Sequence, residues 1–200
     1  LKAMGFDGNI GTVTLAWNGK AEATEGHKII SFADGKTVIE SSRYPFCFQG
    51  PRDKVPVNAR SILPFLPFNQ DLNRFTLVVT GLPAGKAEVK WGKNTKVFTK
   101  EQLEKGINLA DEFQEDNPFC ANFSKLIDLI GKKQAFETVF IKKFLTSKPS
   151  VVLALTNDQE GIAAISALEK KFMEKELAFQ KEASAVVVPV KYDIEVKPIK

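Results

Sequence analysis

At 200 residues, with 44% hydrophobic and 26% charged side chains, the chain has room for one large domain or two small ones. It is too apolar for a disordered segment and too charged for a membrane bundle. Net charge is +4, with 24 acidic residues interleaved among 28 basic ones. The arginines are only Arg43, Arg52, Arg60 and Arg74, and this dispersal speaks against nucleic acid as a partner.

Residues 1–5 read as a last helical turn stopped by Gly5, so the chain reads as a piece of something longer. No signal peptide and no apolar stretch of bilayer-spanning length is recognisable. Strand signals follow. Val13, Leu15 and Trp17 alternate with Thr12, Thr14 and Ala16, then Asn18-Gly19 supplies a tight turn and Lys20–Glu25 returns. A second hairpin runs from His27–Phe32 through Asp34-Gly35 to Thr37–Ser41. Two hairpins in succession predict an antiparallel meander.

Residues 43–70 carry Pro45, Pro51, Pro56, Pro64 and Pro67, each removing a ladder donor, so an extended connection is expected, pinned by Phe46, Phe48, Phe65 and Phe68. Phe75–Thr80 and Lys86–Trp91 are predicted to pair through the turn Gly81–Gly85, with Lys96–Phe98 as a third strand. Thr99 and Gln102 form a capping box for a short helix ending at Gly106. Two longer helices follow, at 118–146 and 159–183. The first carries Phe119, Phe123, Leu126, Ile127, Ile130, Phe136, Phe140 and Phe144 at helical spacing, with Gly131 a candidate kink. The second carries Ile162, Ile165, Leu168, Phe172 and Phe179, and two overlapping caps, Thr156 with Gln159 and Asn157 with Glu160, compete for its start. Val188 to Val196 alternates as a closing strand, expected at a sheet edge because Pro189 cannot donate.

The fold class expected is α+β, an antiparallel sheet of meander or sandwich type with the two long helices packed on one face. The expected organisation is a β-rich part at 1–110 and a helical hairpin with the closing strand at 111–200, forming one compact unit.

Chemistry is sparse. His27, the one histidine, sits in a predicted strand with no Gly-framed serine in the chain, and reads as a structural or surface residue. Ser61, the first serine to consider as a nucleophile, has no base near it in sequence. Asp111, Glu112, Glu115 and Asp116 lack the ligand ladder of a calcium loop and read as a solvated turn before a helix. Gly81–Gly85 is too short for a phosphate cradle and lacks the Lys-Ser/Thr ending. Cys47 and Cys120 match no metal spacing; they are either one disulfide or two buried thiols. No catalytic, cofactor-binding or metal-ligating residue is assigned. Trp17, Tyr44 and Trp91 are the candidates for an aromatic platform that would stack on carbohydrate, although both tryptophans lie on the apolar side of their strands.

The segment Leu66-Pro-Phe-Asn-Gln-Asp-Leu-Asn-Arg74, the turn Val79-Thr-Gly-Leu-Pro-Ala-Gly85 and the stretch Phe98-Thr-Lys-Glu-Gln-Leu-Glu-Lys-Gly-Ile-Asn-Leu-Ala110 resemble a region that follows the catalytic domain in long bacterial SGNH (GDSL-like) hydrolases. The family's patterns there are L-P-F-N-x-x-L-N-R, V-T-G-L-P-A-G-x-Y and F-T-x-E-x-L-x-x-G-V-N-L-A. Leu1–Gly5 looks like the end of the helix closing the catalytic domain, and Pro189–Val196 like the usual final strand. Ala87 stands where the family often has a larger aromatic.

The resemblance implies an exported esterase or lipase-like parent, secreted or periplasmic. Its Ser–His–Asp triad and oxyanion donors would all lie upstream of Leu1. This chain would then be an accessory region whose partner is the catalytic domain in cis. The alternatives are a β-rich module binding carbohydrate or an ester substrate, and an interaction domain built on the helices.

Overall fold

The computed structural model describes residues 1–48 and 59–199. The fold class is α+β. Contacts divide the chain into two units, Leu1–Phe123 together with Val188–Lys200, and Ser124–Val187. The closing strand therefore belongs with the sheets, not with the helices that precede it in sequence.

Among the described residues the first unit holds nine strands. One sheet has the order β2 (Ala21–Ala23), β1 (Asn9–Ala16), β5 (Arg74–Thr80), β8 (Ile107–Asn108). The other has the order β3 (His27–Ala33), β4 (Lys36–Ser41), β9 (Val190–Ile199), β6 (Lys86–Trp91), β7 (Asn94–Thr99). Both early hairpins form, with Leu15 opposite Ala21 and Ala33 opposite Lys36. The second turn has positive φ at both Asp34 (48°) and Gly35 (75°), which is the twist a two-residue hairpin needs. Glycine is required at position 35 for a further reason: a Cβ there would fall 2.3 Å from the carbonyl oxygen of Val196.

Three pairings differ from the sequence expectation. β5 does not pair with β6. It runs parallel to β1, with Val13 opposite Leu77, so Gly81–Gly85 carries the chain from one sheet to the other. Alternation in β5 and β6 reports which face is buried and is silent on the neighbour. β9 is central, flanked by β4 and β6. Pro189 precedes the strand and so removes no ladder donor, and Pro198 lies beyond Val190–Glu195, the span paired with β4. The early strands are consequently not one meander but are shared between two sheets.

Inward-facing residues of both sheets form one core: Val13, Leu15, Phe75, Leu77 and Val79 from one, Ile39, Ala87, Val89, Trp91, Ile194 and Val196 from the other. Phe75 and Trp91 meet with ring centroids 5.8 Å apart. Around them lie the short helices α1 (Phe68–Leu72), α2 (Lys100–Lys105) and α3 (Leu109–Glu112). The α2 capping box forms as expected, with Gln102 N–H on Thr99 Oγ1 and Thr99 N–H on Gln102 Oε1. In the proline-rich connection Phe46 meets Phe6, Phe68 and Phe123 edge-on and Phe48 meets Phe68. Phe65 pins nothing and is 80% exposed. Pro51 and Pro56 lie outside the described residues.

The second unit continues α4 (Cys120–Val139) into a π-helical turn at Phe140–Leu145, then α5 (Thr146–Leu155) and α6 (Gln159–Ser184). Gly131 does not interrupt α4. The widened turn comes just before Pro149, whose ring crowds the Leu145 carbonyl and offers it no N–H. Neither expected cap starts α6. Asp158 does, accepting from Gly161 N–H at 2.9 Å, because Thr156 is turned back toward Leu153 of the preceding helix. Phe136, Phe140, Phe144 and Phe172 stack, with Phe140 and Phe172 at 5.0 Å and nearly parallel. Lys133 bridges Glu137 and Glu176, and Lys148 pairs with Glu169.

Candidate functional site

The densest polar construction in the first unit is a set of interlocked asparagines. Asn73, fully buried, accepts from Phe46 N–H at 2.8 Å and donates to Phe46 O (3.1 Å) and Asn69 Oδ1 (2.9 Å). Asn108 Nδ2 donates to the carbonyls of Asn69 and Asn73, both at 3.1 Å. Its Oδ1 accepts from Phe75 and Ala110 N–H. Arg74 closes the set from below, donating to the carbonyls of Gln70, Asp71 and Asp7. An amide has one acceptor and two donors in a fixed plane, so it can substitute for backbone on both sides where chain segments meet without a ladder. These residues join the proline-rich connection, α1, β5 and α3.

Beside this clasp lies a cleft of about 400 Å3, lined by Arg60, Ser61, Asn69, Gln70, Asp111 and Gln114 together with Leu63–Leu66. Arg60 is buried and donates to the carbonyls of Phe48 (2.8 Å) and Gln114 (3.0 Å), while its Nε has no partner among the described residues. Asp111 accepts from Asn69 at 2.8 Å, Gln114 at 2.7 Å and Gln70 at 3.2 Å. Three side-chain amides thus occupy the Asp111 carboxylate. Ser61 reaches the cleft, but the one imidazole of the chain is held elsewhere.

That imidazole, His27, is 7% exposed and stacks on Phe75 with centroids 4.8 Å apart. Its Nε2 lies 2.9 Å from the Ile10 carbonyl, which can only accept, so Nε2 carries the proton. Nδ1 must then accept from Ser41 Oγ at 2.7 Å, and Ser41 Oγ accepts from the Tyr192 hydroxyl at 2.9 Å. Burial lowers the His27 pKa below the usual histidine value, Arg43 adds to this, and the Ile10 carbonyl opposes it. Burial likewise raises Tyr192. Ser41 is fully buried. A Ser–His contact therefore exists, and Ser41 donates to the imidazole as a nucleophile donates to its general base, but with Ser41 wholly enclosed no substrate carbonyl can approach it. Gly11 makes the room: a Cβ there would sit 2.2 Å from His27 Nε2.

The three candidate platform aromatics are not brought together. Trp91 is fully buried among Phe75, Phe113, Phe119 and Tyr192 and offers no ring face to a sugar. Trp17 is half-buried over the Gly35 turn. Tyr44 is half-buried too, its ring edge-on to Phe119 and its hydroxyl donating to the Val188 carbonyl while accepting from Asn122. Of the acidic set, Glu112 pairs with Lys96 at 2.9 Å and Asp116 faces Lys93 at 4.0 Å. No group of three or more potential metal ligands occurs among the described residues. Sequence reasoning did not find the Arg60–Asp111 cleft or the Ser41–Tyr192 pairing. The local signal available was an Asn at 69, 73 and 108 in segments otherwise apolar or turn-like.

No family model matches the sequence, and no curated protein matches it. Among solved structures the fold is similar to that of a protein described as a gut microbial diltiazem-metabolizing enzyme, with a TM-score of 0.65 and 16% sequence identity. The likeness covers 99% of this chain and 52% of that one, so this chain spans about half the length of that enzyme.

Proposed function

We propose that this chain is the non-catalytic region following the catalytic domain of an exported SGNH-type serine hydrolase, packed on that domain in cis. The observation that carries the reading is the state of its one histidine. Both ring nitrogens of His27 are engaged by Ile10 and Ser41 in the core, so a Ser–His mechanism needs an imidazole from another part of the protein. The motif residues that resemble the hydrolase region add support. Asn69, Asn73, Arg74 and Asn108 join chain segments and carry no reacting group. The likeness in fold to half of an enzyme is consistent with the same arrangement.

The test is hydrolysis of p-nitrophenyl acetate by this chain, run beside the longest product of its gene. The expected result is turnover by the longer protein alone, blocked by a serine-reactive phosphonate. Turnover by the isolated chain that the phosphonate abolishes would overturn the reading, as would a gene encoding no hydrolase motifs upstream.

A further inference from the structure

The two cysteines, far apart in sequence, come together inside the first unit. Cys47 is 7% exposed and belongs to the core, its Sγ donating to Asn117 Oδ1 at 3.6 Å and facing the Pro45 carbonyl at 3.8 Å. Cys120 is half-buried as the first residue of α4, and its amide donates to the Asn117 carbonyl at 3.1 Å. One buried asparagine thus holds both residues, through its side-chain oxygen on one side and its backbone oxygen on the other. The segments that carry them pack against each other, Tyr44 edge-on to Phe119 at 5.0 Å and Phe46 to Phe123 at 6.3 Å, and Cys120 packs against the core to which Cys47 belongs. Both remain free thiols in this structure.

We propose that Cys47 and Cys120 are a redox dithiol that closes to a disulfide by exchange with a small-molecule disulfide such as oxidised glutathione. The two sulfurs have unequal environments, and these assign the roles. Interaction with the Cys47 thiol holds the Cys120 thiol below its ordinary pKa and Arg60 assists, against burial and Asp116. The same interaction and burial push the Cys47 thiol up. Cys120, the more accessible thiolate, attacks one sulfur of the glutathione disulfide and expels the other as glutathione thiolate. Cys47 then loses its proton and attacks Cys120 Sγ, expelling the second glutathione thiolate. One sulfur–sulfur bond forms and one breaks. Two electrons pass to glutathione, and the two thiol protons end on the two glutathione molecules.

The product joins the connection after β4 to the start of α4 and closes the chain around β5 to β8. The proposal is independent of the hydrolase reading.

The experiment incubates the native full chain, C47S and C120S with oxidised glutathione, then reads intact mass and maps the peptides. The wild type is expected to lose two hydrogens and yield a peptide pair joined through Cys47 and Cys120, reversed by dithiothreitol. C47S is expected to accumulate a glutathione adduct at Cys120, while C120S stays unmodified. A native wild type that keeps both thiols alkylatable, or holds a stable glutathione adduct, overturns the proposal. That arm decides alone, so misfolding of either variant leaves the test intact.

Discussion

The two units are stabilised in different ways. In the β-rich unit, whole side chains such as Phe75, Leu77, Val79, Val89, Trp91 and Ile194 lose all contact with solvent, and they come from strands distant in sequence. In the helical unit only Leu129, Phe140 and Ala183 are buried, while Leu153, Leu177, Ile141 and Leu168 stand exposed at 80, 61, 51 and 49%. Its cohesion comes from a stack of phenylalanines and from ion pairs on partly exposed helix faces, which are worth little in water. A Phe-rich composition therefore means two things in one chain: an interdigitated core in the first unit, and a narrow seam in the second. Close packing makes the first unit sensitive to small changes in volume, whereas the second should give way gradually.

The sharpest way to break this contrast is a pair of truncations read by urea unfolding. Phe75→Ala empties the centre of the two-sheet core and should cost about 3–5 kcal/mol, the usual range for a large buried aromatic. Phe172→Ala, in the half-buried seam, should cost about half of that. Equal losses at the two positions would mean that the seam is packed as tightly as the core.

Next in size is the asparagine clasp. Asn108→Ala leaves the Phe75 and Ala110 amides without their acceptor and should cost about 1–3 kcal/mol. Asn108→Asp keeps the acceptor and loses the donors to Asn69 and Asn73, so it should fall between the alanine variant and the wild type. An aspartate as damaging as alanine would show that the donors dominate.

The His27 arrangement carries a pH dependence with a definite sign. Its folded pKa is lowered by burial, so between that value and the usual 6.5 the unfolded chain binds more protons than the folded one. Stability should be full above pH 6.5 and fall as the pH drops through 6.5 toward the folded value. The melting temperature of a His27→Gln variant should show a flatter profile across that window. An unchanged profile would mean that carboxylates account for the whole acid response. Smallest of all, Leu153→Ser on the open helix face should stay within about 0.5 kcal/mol of wild type. A larger loss there would show that the exposed leucine is covered in the protein as it exists.

Much of the local structure was legible in the residues. Asn18-Gly19 and Asp34-Gly35 marked both hairpins, Thr99 with Gln102 marked a capping box, and strict alternation marked Trp91 as buried. The candidate site was not legible in the same way. Nothing local says that Asn73 clasps Phe46, or that Ser41 and Tyr192 complete the hydrogen-bonding of His27, because each of those bonds crosses from one element to another. The one false expectation at a helix start is instructive too: three consecutive residues, Thr156, Asn157 and Asp158, could all cap α6, and the turn out of α5 selected the third.

What the sequence determined alone was the type of the main strands, of α2 and of the long helices α4 and α6, and the face each strand buries, since these follow from hydrogen bonds and periodicities spanning a few residues. The short α1, α3 and β8 and the helical run on to Leu155 were not among its expectations. The tertiary structure decided which strands became neighbours: β5 beside β1 in parallel, β9 in the middle of its sheet, Cys47 against Cys120. A period of two specifies a side, and only the packing of the whole core chooses among the partners that could share it.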